Sequence, residues 1–563
     1  MIYLVSKKRE LFEDTRYTII EPLKAIEILY NTKKTNGVRI LGADTETEGL
    51  DVFTKKLLTI QLGTPEFQVV WDCLSYDVRM LKDLLEDDNT LTIWWNYLFD
   101  GKFLLHHRIL PKHVYDGFLA EKLLYNGYPA GTHSLSLKSA GYEYCGVELD
   151  KTVRGQIIKK GLTPDVIVYA AYDVKYEIPI YEAQLKELEK KGLLNAIKIE
   201  NEFVKVLVYI EYCGVKLDIP RWKKKMAQDL ANTVESLSAL NQWVVDYYTE
   251  HNGSRRILKG KQQYTIELDY IIDKLEKGKR KSVSYTPPLD WEPIGPVVDV
   301  QTDTYTGHSQ RLRIAYPFIT QDFQGDLFGG WDTDPKCSIK WQSSKQTIPF
   351  FELLGFNLET FDKKTKAKKK SAEAKIIKPQ KDISPVAGLY LKYKKAQKVV
   401  ESFGQNFLDA VNPVTGRIHA DFHQLGADTG RMSCGGGETG INLQQLPHDA
   451  ETRACFIAEE GNKWISADYQ SQESRLIASV ANDPAMIDLF LHGCGDVHSL
   501  VAKMSYPSII GDCPVEEIKD KFKEYRQDAK GIEFAVNPTL EYFSKIYGKS
   551  FGIYNKLKYI WNM

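Results

Sequence analysis

The chain has 563 residues, 43% apolar and 26% charged, with 74 Lys plus Arg against 75 Asp plus Glu. That length admits about three to four globular domains, and the balanced charge excludes a uniformly basic nucleic-acid coat while leaving room for local basic patches. No apolar run reaches the ~18 residues of a membrane span, "MIYLVSKKRE" lacks a secretory pattern, and eight scattered cysteines without a C-x-x-C pair read as reduced cytosolic thiols.

In chain order, residues 1–190 alternate between strand-like runs ("VRILGADTE", "LLTIQLGT", "QVVWDC") and helix-like ones ("DVRMLKDLLED", "PIYEAQLKELEKKG"), which predicts an α/β domain with a mixed sheet. From about 195 to 250 the pattern is helical, with Asp218 and Pro220 opening a helix and Met226, Leu230, Val234 and Leu237 as its apolar stripe. Residues 251–335 turn rich in Gly, Pro, Thr, Asp and Tyr and read as an inserted strand-and-loop subdomain. Helices return from about 343 to 410, interrupted by the lysine-rich stretch "DKKTKAKKKSAEAKIIKPQK", which alone reads as a solvated loop. From 411 onward come short strands, Gly-rich turns and helices.

Three segments near the N-terminus carry carboxylates. "ADTETEGL" sets Asp44 and Glu46 two apart at a strand end, so both point to one face and suit Mg²⁺ or Mn²⁺. "WNYLFDGKFLL" supplies Asp100, and "YAAYDVKYE" puts Tyr169 and Asp173 four apart on a helix. Alone, the octapeptide is equally well an ordinary acidic turn, and the Tyr–Asp pair is more often a surface contact than a site. Their order and spacing resemble the three motifs of the DnaQ-like 3′→5′ proofreading exonucleases, with Asn96 and Phe99 completing the second, over residues 35–185. The resemblance implies a ribonuclease H-like fold in which Asp44, Glu46, Asp100 and Asp173 hold two divalent ions. One would activate water and the other stabilise the leaving 3′ oxygen, with Tyr169 positioning the attacking water.

A second constellation lies in the C-terminal half. "HQLGADTGRMSCGGGETGINLQQLP" is a flexible loop or a place where Arg431, Gln444 and Gln445 meet nucleic acid. "KWISADYQSQESRLIASVAND" reads as a strand, then a helix with Leu476, Ile477 and Val480 as its buried stripe and Asp468 at the junction. In "RQDAKGIEFAVNPTLEY", Arg526, Lys530 and Phe534 recur every four residues and share a helix face. Together these segments resemble the family A (DNA polymerase I type) DNA polymerases from about 195 to 537, apart from the insert.

That resemblance implies a right-hand polymerase following the exonuclease domain. Its thumb helices would be 191–250 and 336–410, and its partial palm and start of the fingers 411–537. Asp468 would bind both catalytic ions and Tyr469 would contribute backbone to the nucleotide site. Glu473 would exclude ribonucleotides. His498, Arg526 and Lys530 would bind the triphosphate, and Phe534 would sit near the incoming sugar. Arg431, Gln444 and Gln445 would contact primer–template, and Lys368, Lys369 and Lys370 would grip duplex backbone.

The departures are sharp. Pro538 and Thr539 stand where the family has Tyr-Gly, residues 538–563 resemble nothing in the family, and a His-Asp-Glu hairpin for the second metal carboxylate is missing from the sequence. An interrupted gene, a split enzyme and a degenerate ending each explain this. The expectation is a phage-like proofreading polymerase whose chain does not extend primers alone. Its partners would be DNA primer–template, a single-stranded 3′ end and dNTPs. A second polypeptide with the remaining palm and fingers, or a processivity factor at 251–335, would complete the set. Competing expectations are a stand-alone exonuclease whose C-terminal half binds DNA, and a non-enzymatic assembly subunit. The expected compartment is the cytoplasm, that of a bacterial host if phage-encoded.

Overall fold

The computed structural model describes residues 1–128, 131–148, 161–252, 297–303, 309–315, 319–320, 323–324, 331–332, 336–362, 367–427, 429–437, 439–482, 484–493 and 495–529. The described residues fall into two units, divided after Glu460. Among them, no helix is long and apolar enough to cross a membrane.

The first unit begins with an eight-stranded sheet. Its strands are β1 (Ile2–Val5), β2 (Thr18–Ile19), β3 (Lys34–Thr35), β4 (Val38–Thr47), β5 (Leu57–Gly63), β6 (Gln68–Asp72), β7 (Thr90–Trp94) and β8 (His113–Asp116). The spatial order is β2-β1-β6-β5-β4-β7-β8, with β3 paired to β4. β5 is antiparallel to β4 and β6, while β7 is parallel to β4 and β8 parallel to β7. Every residue of β5 and β6 is buried. Both faces are therefore covered, which is why these strands read as apolar runs rather than as alternation. This is the mixed α/β layer expected of a ribonuclease H-like domain.

Helices α1 (Pro22–Tyr30), α2 (Tyr97–His106), α3 (Gly117–Leu124), α4 (Leu137–Cys145), α5 (Pro164–Lys175), α6 (Glu177–Lys190) and α7 (Leu194–Cys213) accompany the sheet. Local chemistry sets their starts. The Thr163 side chain accepts from Val166 N and Pro164 opens α5, while Asp116 accepts from Phe118 N and Leu119 N at the head of α3. Trp71, Trp94, Tyr97 and Phe103 are fully buried in the core.

Strand β9 (Val215–Leu217) leads into α8 (Ile219–Asn252), and Asp218 Oδ1 caps that helix by accepting from Arg221 N at 3.0 Å. The expected stripe is corrected here: Leu230 and Val234 are more than half exposed, while Trp222, Lys225, Ser236, Leu240 and Val244 are buried. Anchoring at both ends of the helix sets the buried face. Trp222 stacks on Phe407 at 4.9 Å, and Leu240 and Val244 enter a core with Trp341, Phe350, Phe351 and Tyr390. The last three come from α9 (Ser344–Leu353) and α10 (Val386–Ser402).

A further expectation changes. Part of the lysine run is a ladder: β10 (Glu359–Phe361) pairs antiparallel with β11 (Lys368–Lys370), Glu359 opposite Lys370. Each lysine of β11 meets a carboxylate, Lys368 with Glu359 at 3.9 Å, Lys369 with Asp362 at 3.2 Å and Lys370 with Glu352 at 2.6 Å. Residues 363–366 lie outside the description. In the insert, Val297–Asp303 pairs antiparallel with Ser309–Ala315, and residues 253–296 lie outside the description. Strands β12 (Arg417–Ile418) and β13 (Phe456–Ile457) flank β9 in a three-stranded sheet that ends the first unit.

The second unit holds α11 (Gln472–Ala481), α12 (Pro484–Leu491), α13 (Val497–Ser505) and a last helix whose described part is 523–529. Residues 462–469, expected as a strand, have no regular structure. A strand exists only by pairing its N–H and C=O groups with a neighbour, and no described residue of this unit offers one. Of the stripe expected to be buried on α11, Leu476 and Val480 are instead exposed, at 57% and 88%, while Ser474 and Ala478 are buried; the Ile477 side chain lies outside the description. Among its described side chains, this helix buries small ones and leaves Leu476 and Val480 exposed.

Candidate metal and nucleic-acid site

β4 carries Asp44 and Glu46, and α5, packed on β4, β5 and β6, carries Tyr169 and Asp173. One carboxylate oxygen from each of Asp44, Glu46 and Asp173 lies within 4.8 Å of the other two. Glu46 and Asp173 are buried and Asp44 half-buried. Three hard anionic oxygens converging at a partly open position fit a divalent cation of the magnesium or manganese type. The Tyr169 hydroxyl donates to Asp173. Burial and then that carboxylate push the Tyr169 hydroxyl well above its ordinary pKa, so it stays protonated.

Asp100 stands apart from the expected quartet. It is not among the three clustered groups; its Oδ1 instead accepts the Thr45 hydroxyl at 2.5 Å. Burial raises its pKa to about 7, and Asp116 adds to the rise. Its position follows from the start of α2. Asn96 is left-handed at φ +74°, a conformation Asn tolerates, and Asp116 grips the turn by accepting from Asn96 N at 3.0 Å and Tyr97 N at 2.9 Å. Burial lifts the Asp116 carboxyl to about 6.

Sequence reasoning missed Asp116 and Glu177. The signal for Glu177 was present. It follows Tyr169 and Asp173 at the same four-residue interval, across the junction of α5 and α6. Its carboxyl is buried beside the cluster, where burial and then Asp44 raise its pKa well above the usual range.

The residues expected of the second constellation are more dispersed. Asp468 and Tyr469 are exposed on the irregular segment 462–469, and among the described residues Asp468 joins no cluster of three metal-type ligands. Glu473 and His498 fall on α11 and α13. The Glu473 side chain, Lys530 and Phe534 lie outside the description. Arg526 is engaged by Asp496, the N-cap of α13, and by Ser499 Oγ at 3.2 Å. In the first unit, Arg431 follows left-handed Gly430. Gln444 and Gln445 are exposed on a short 3₁₀ turn capped by Asn442.

Comparison with known proteins follows the same division. Residues 17–189 match the family described as 3'-5' exonuclease, and residues 336–545 match DNA polymerase family A. The DNA polymerase I of Chloroflexus aurantiacus is 32% identical over 192 residues, covering 33% of this chain and 18% of that protein. The DNA polymerase of Mycobacterium phage D29 is 33% identical over 169 residues, covering 30% of this chain and 27% of that protein. Across these curated relatives the chain spans between 15% and 27% of their length. A solved POL domain of Pol1 from M. smegmatis, in complex with DNA primer-template and dNTP, superposes with a TM-score of 0.59 at 16% identity, covering 99% of this chain and 73% of that chain. At that identity the likeness is one of fold.

Proposed function

We propose that this chain removes nucleotides from DNA 3′ ends and serves template-directed DNA synthesis, a reading supported by the match of residues 17–189 to the 3'-5' exonuclease family and of residues 336–545 to DNA polymerase family A. The observation that carries this reading is the convergence of Asp44, Glu46 and Asp173. Magnesium or manganese held there would supply Lewis acidity and an activated water for phosphodiester hydrolysis. Tyr169, protonated and tied to Asp173, orients groups at the edge of the cluster. Asp100, held by Thr45, serves as the outer carboxylate. The domain reading is an exonuclease at 1–190, thumb helices at 191–250 and 336–410, and a partial palm and fingers at 411–537.

For synthesis, Asp468 takes the metal-binding role, with Tyr469, Glu473, His498, Arg526, Lys530 and Phe534 around the nucleotide. Arg431, Gln444, Gln445 and Lys368–Lys370 contact DNA. A second polypeptide docking on this half is the proposed partner. The exposure of Trp464, Ile465, Leu476 and Val480, in the same unit as Asp468, supports this part. The insert at 251–335 is the proposed seat of a processivity factor. The setting is the cytoplasm, and the likeness to the D29 enzyme favours a phage-infected host cell.

The test is a digestion of single-stranded DNA labelled at its 5′ end in one arm and its 3′ end in the other. With Mg²⁺, the 5′-labelled strand should shorten as a ladder and the 3′ label should appear at once as mononucleotide; EDTA should stop both. Degradation that proceeds from the 5′ end, or that ignores EDTA, would remove the proposal.

A further inference from the structure

Glu177 opens α6 and is 2% exposed. Its Oε2 accepts the Ala43 N–H at 2.7 Å, and its Oε1 has no hydrogen-bond partner among the described residues. Ala43 stands between Gly42 and Asp44 on β4. The parallel ladder from β7 ends at Gly42 opposite Ile93, so the next residue of β4 gives its amide to a side chain. Gly42 makes that approach possible. A Cβ there would sit 2.5 Å from the Val174 carbonyl oxygen and 3.0 Å from Glu177 Oε2, so any larger residue would push the junction of α5 and α6 off the strand. A buried carboxyl with an oxygen left unpaired costs free energy. A carboxyl kept there despite that cost, bonded to the residue that precedes Asp44 and one turn from Asp173, calls for a role at the cluster.

We propose that Glu177 is a positioning residue of the metal site: by holding the Ala43 amide it fixes Asp44 and Glu46 on β4 against Asp173 on α5, and so sets the affinity for the divalent cation. This rests on reading Asp44, Glu46 and Asp173 as that site. The experiment is Mn²⁺ binding to the full chain by calorimetry, with the Mg²⁺ half-saturation of nuclease activity as a second readout. Glu177→Gln keeps an oxygen acceptor of the same shape, and Glu177→Met keeps the length and removes the acceptor. Glu177→Gln should bind Mn²⁺ within threefold of the unmodified chain, and Glu177→Met should bind at least tenfold more weakly while retaining its circular dichroism. Three results would overturn the inference. Glu177→Met could bind within threefold. Glu177→Gln could fall as far as Glu177→Met, making the carboxylate itself a ligand. Glu177→Met could fail to fold while Glu177→Gln folds, placing its role in the sheet rather than in the site. An unmodified chain that binds no Mn²⁺, or binds it equally after Asp44→Ala/Glu46→Ala, would remove the metal-site reading itself and this inference with it.

Discussion

Arg526 gives its Nε and Nη2 protons to the two oxygens of Asp496, each at 3.0 Å, and so ties the last described helix to the N-cap of α13. This two-pronged geometry is the strong form of the Arg–carboxylate pair. The residue expected to grip a nucleotide's phosphates is thus held by a carboxylate through its Nε and Nη2. Burial works to raise the Asp496 pKa, but Arg526 and Ser499 outweigh it, and the group lies below its ordinary 3.8.

Asp496→Asn should therefore loosen α13 and the helix at 523–529. Their amides should exchange about tenfold faster, about 1.4 kcal/mol, at neutral pH. A lowered folded pKa contributes stability that is present above 3.8 and lost as pH falls through the depressed value. The gap between the two proteins should accordingly persist at pH 5 and close only in stronger acid. Equal exchange at pH 7 would show that the pair adds nothing.

The Asp116 carboxyl predicts the opposite sign. Its folded pKa is raised to about 6 from 3.8 by burial. Its stabilising share is complete below 3.8 and lost as pH rises through 6. Without added metal, the advantage of the unmodified chain over Asp116→Asn, read from amide exchange in α2 and α3, should fall by about 2–3 kcal/mol between pH 4 and pH 7. A pH-independent difference would contradict the burial argument.

The lysines of β11 are exposed and paired with carboxylates, and such surface pairs are worth only about 0–1 kcal/mol. Phosphates can therefore compete for them. If all three contact duplex backbone, Lys368→Ala/Lys369→Ala/Lys370→Ala should reduce the log–log salt slope of duplex binding by about 2–3. An unchanged slope would return these residues to a purely local role in the hairpin.

Local periodicity made the candidate site legible in sequence. Asp44 and Glu46 share a face because strand residues alternate, and Tyr169 and Asp173 share one because helix residues recur every turn. The parts that were not legible depend on neighbours remote in sequence. Glu177 reaches Ala43 because β7 stops pairing at Gly42, and no window around either residue contains that fact. Asp100 accepts from Thr45 because Asp116 sets the turn at Asn96. Leu476 and Val480 form a helical stripe that the pattern shows correctly, but a pattern cannot say whether anything covers it. Leu230 and Val234 lie off the face that is set by the anchors at the two ends of the helix, Trp222 at one and Leu240 and Val244 at the other.

The central claim is that the carboxylates on β4 run a metal-dependent cleavage at DNA 3′ ends. Its most direct measurement is the rate at which a 5′-labelled single strand shortens with Mg²⁺, compared between the unmodified chain and Asp44→Ala/Glu46→Ala. Removing two of three clustered ligands should lower that rate by at least about a thousandfold, because the site then cannot hold the ion that the chemistry requires. Undiminished shortening by the double variant would contradict the account.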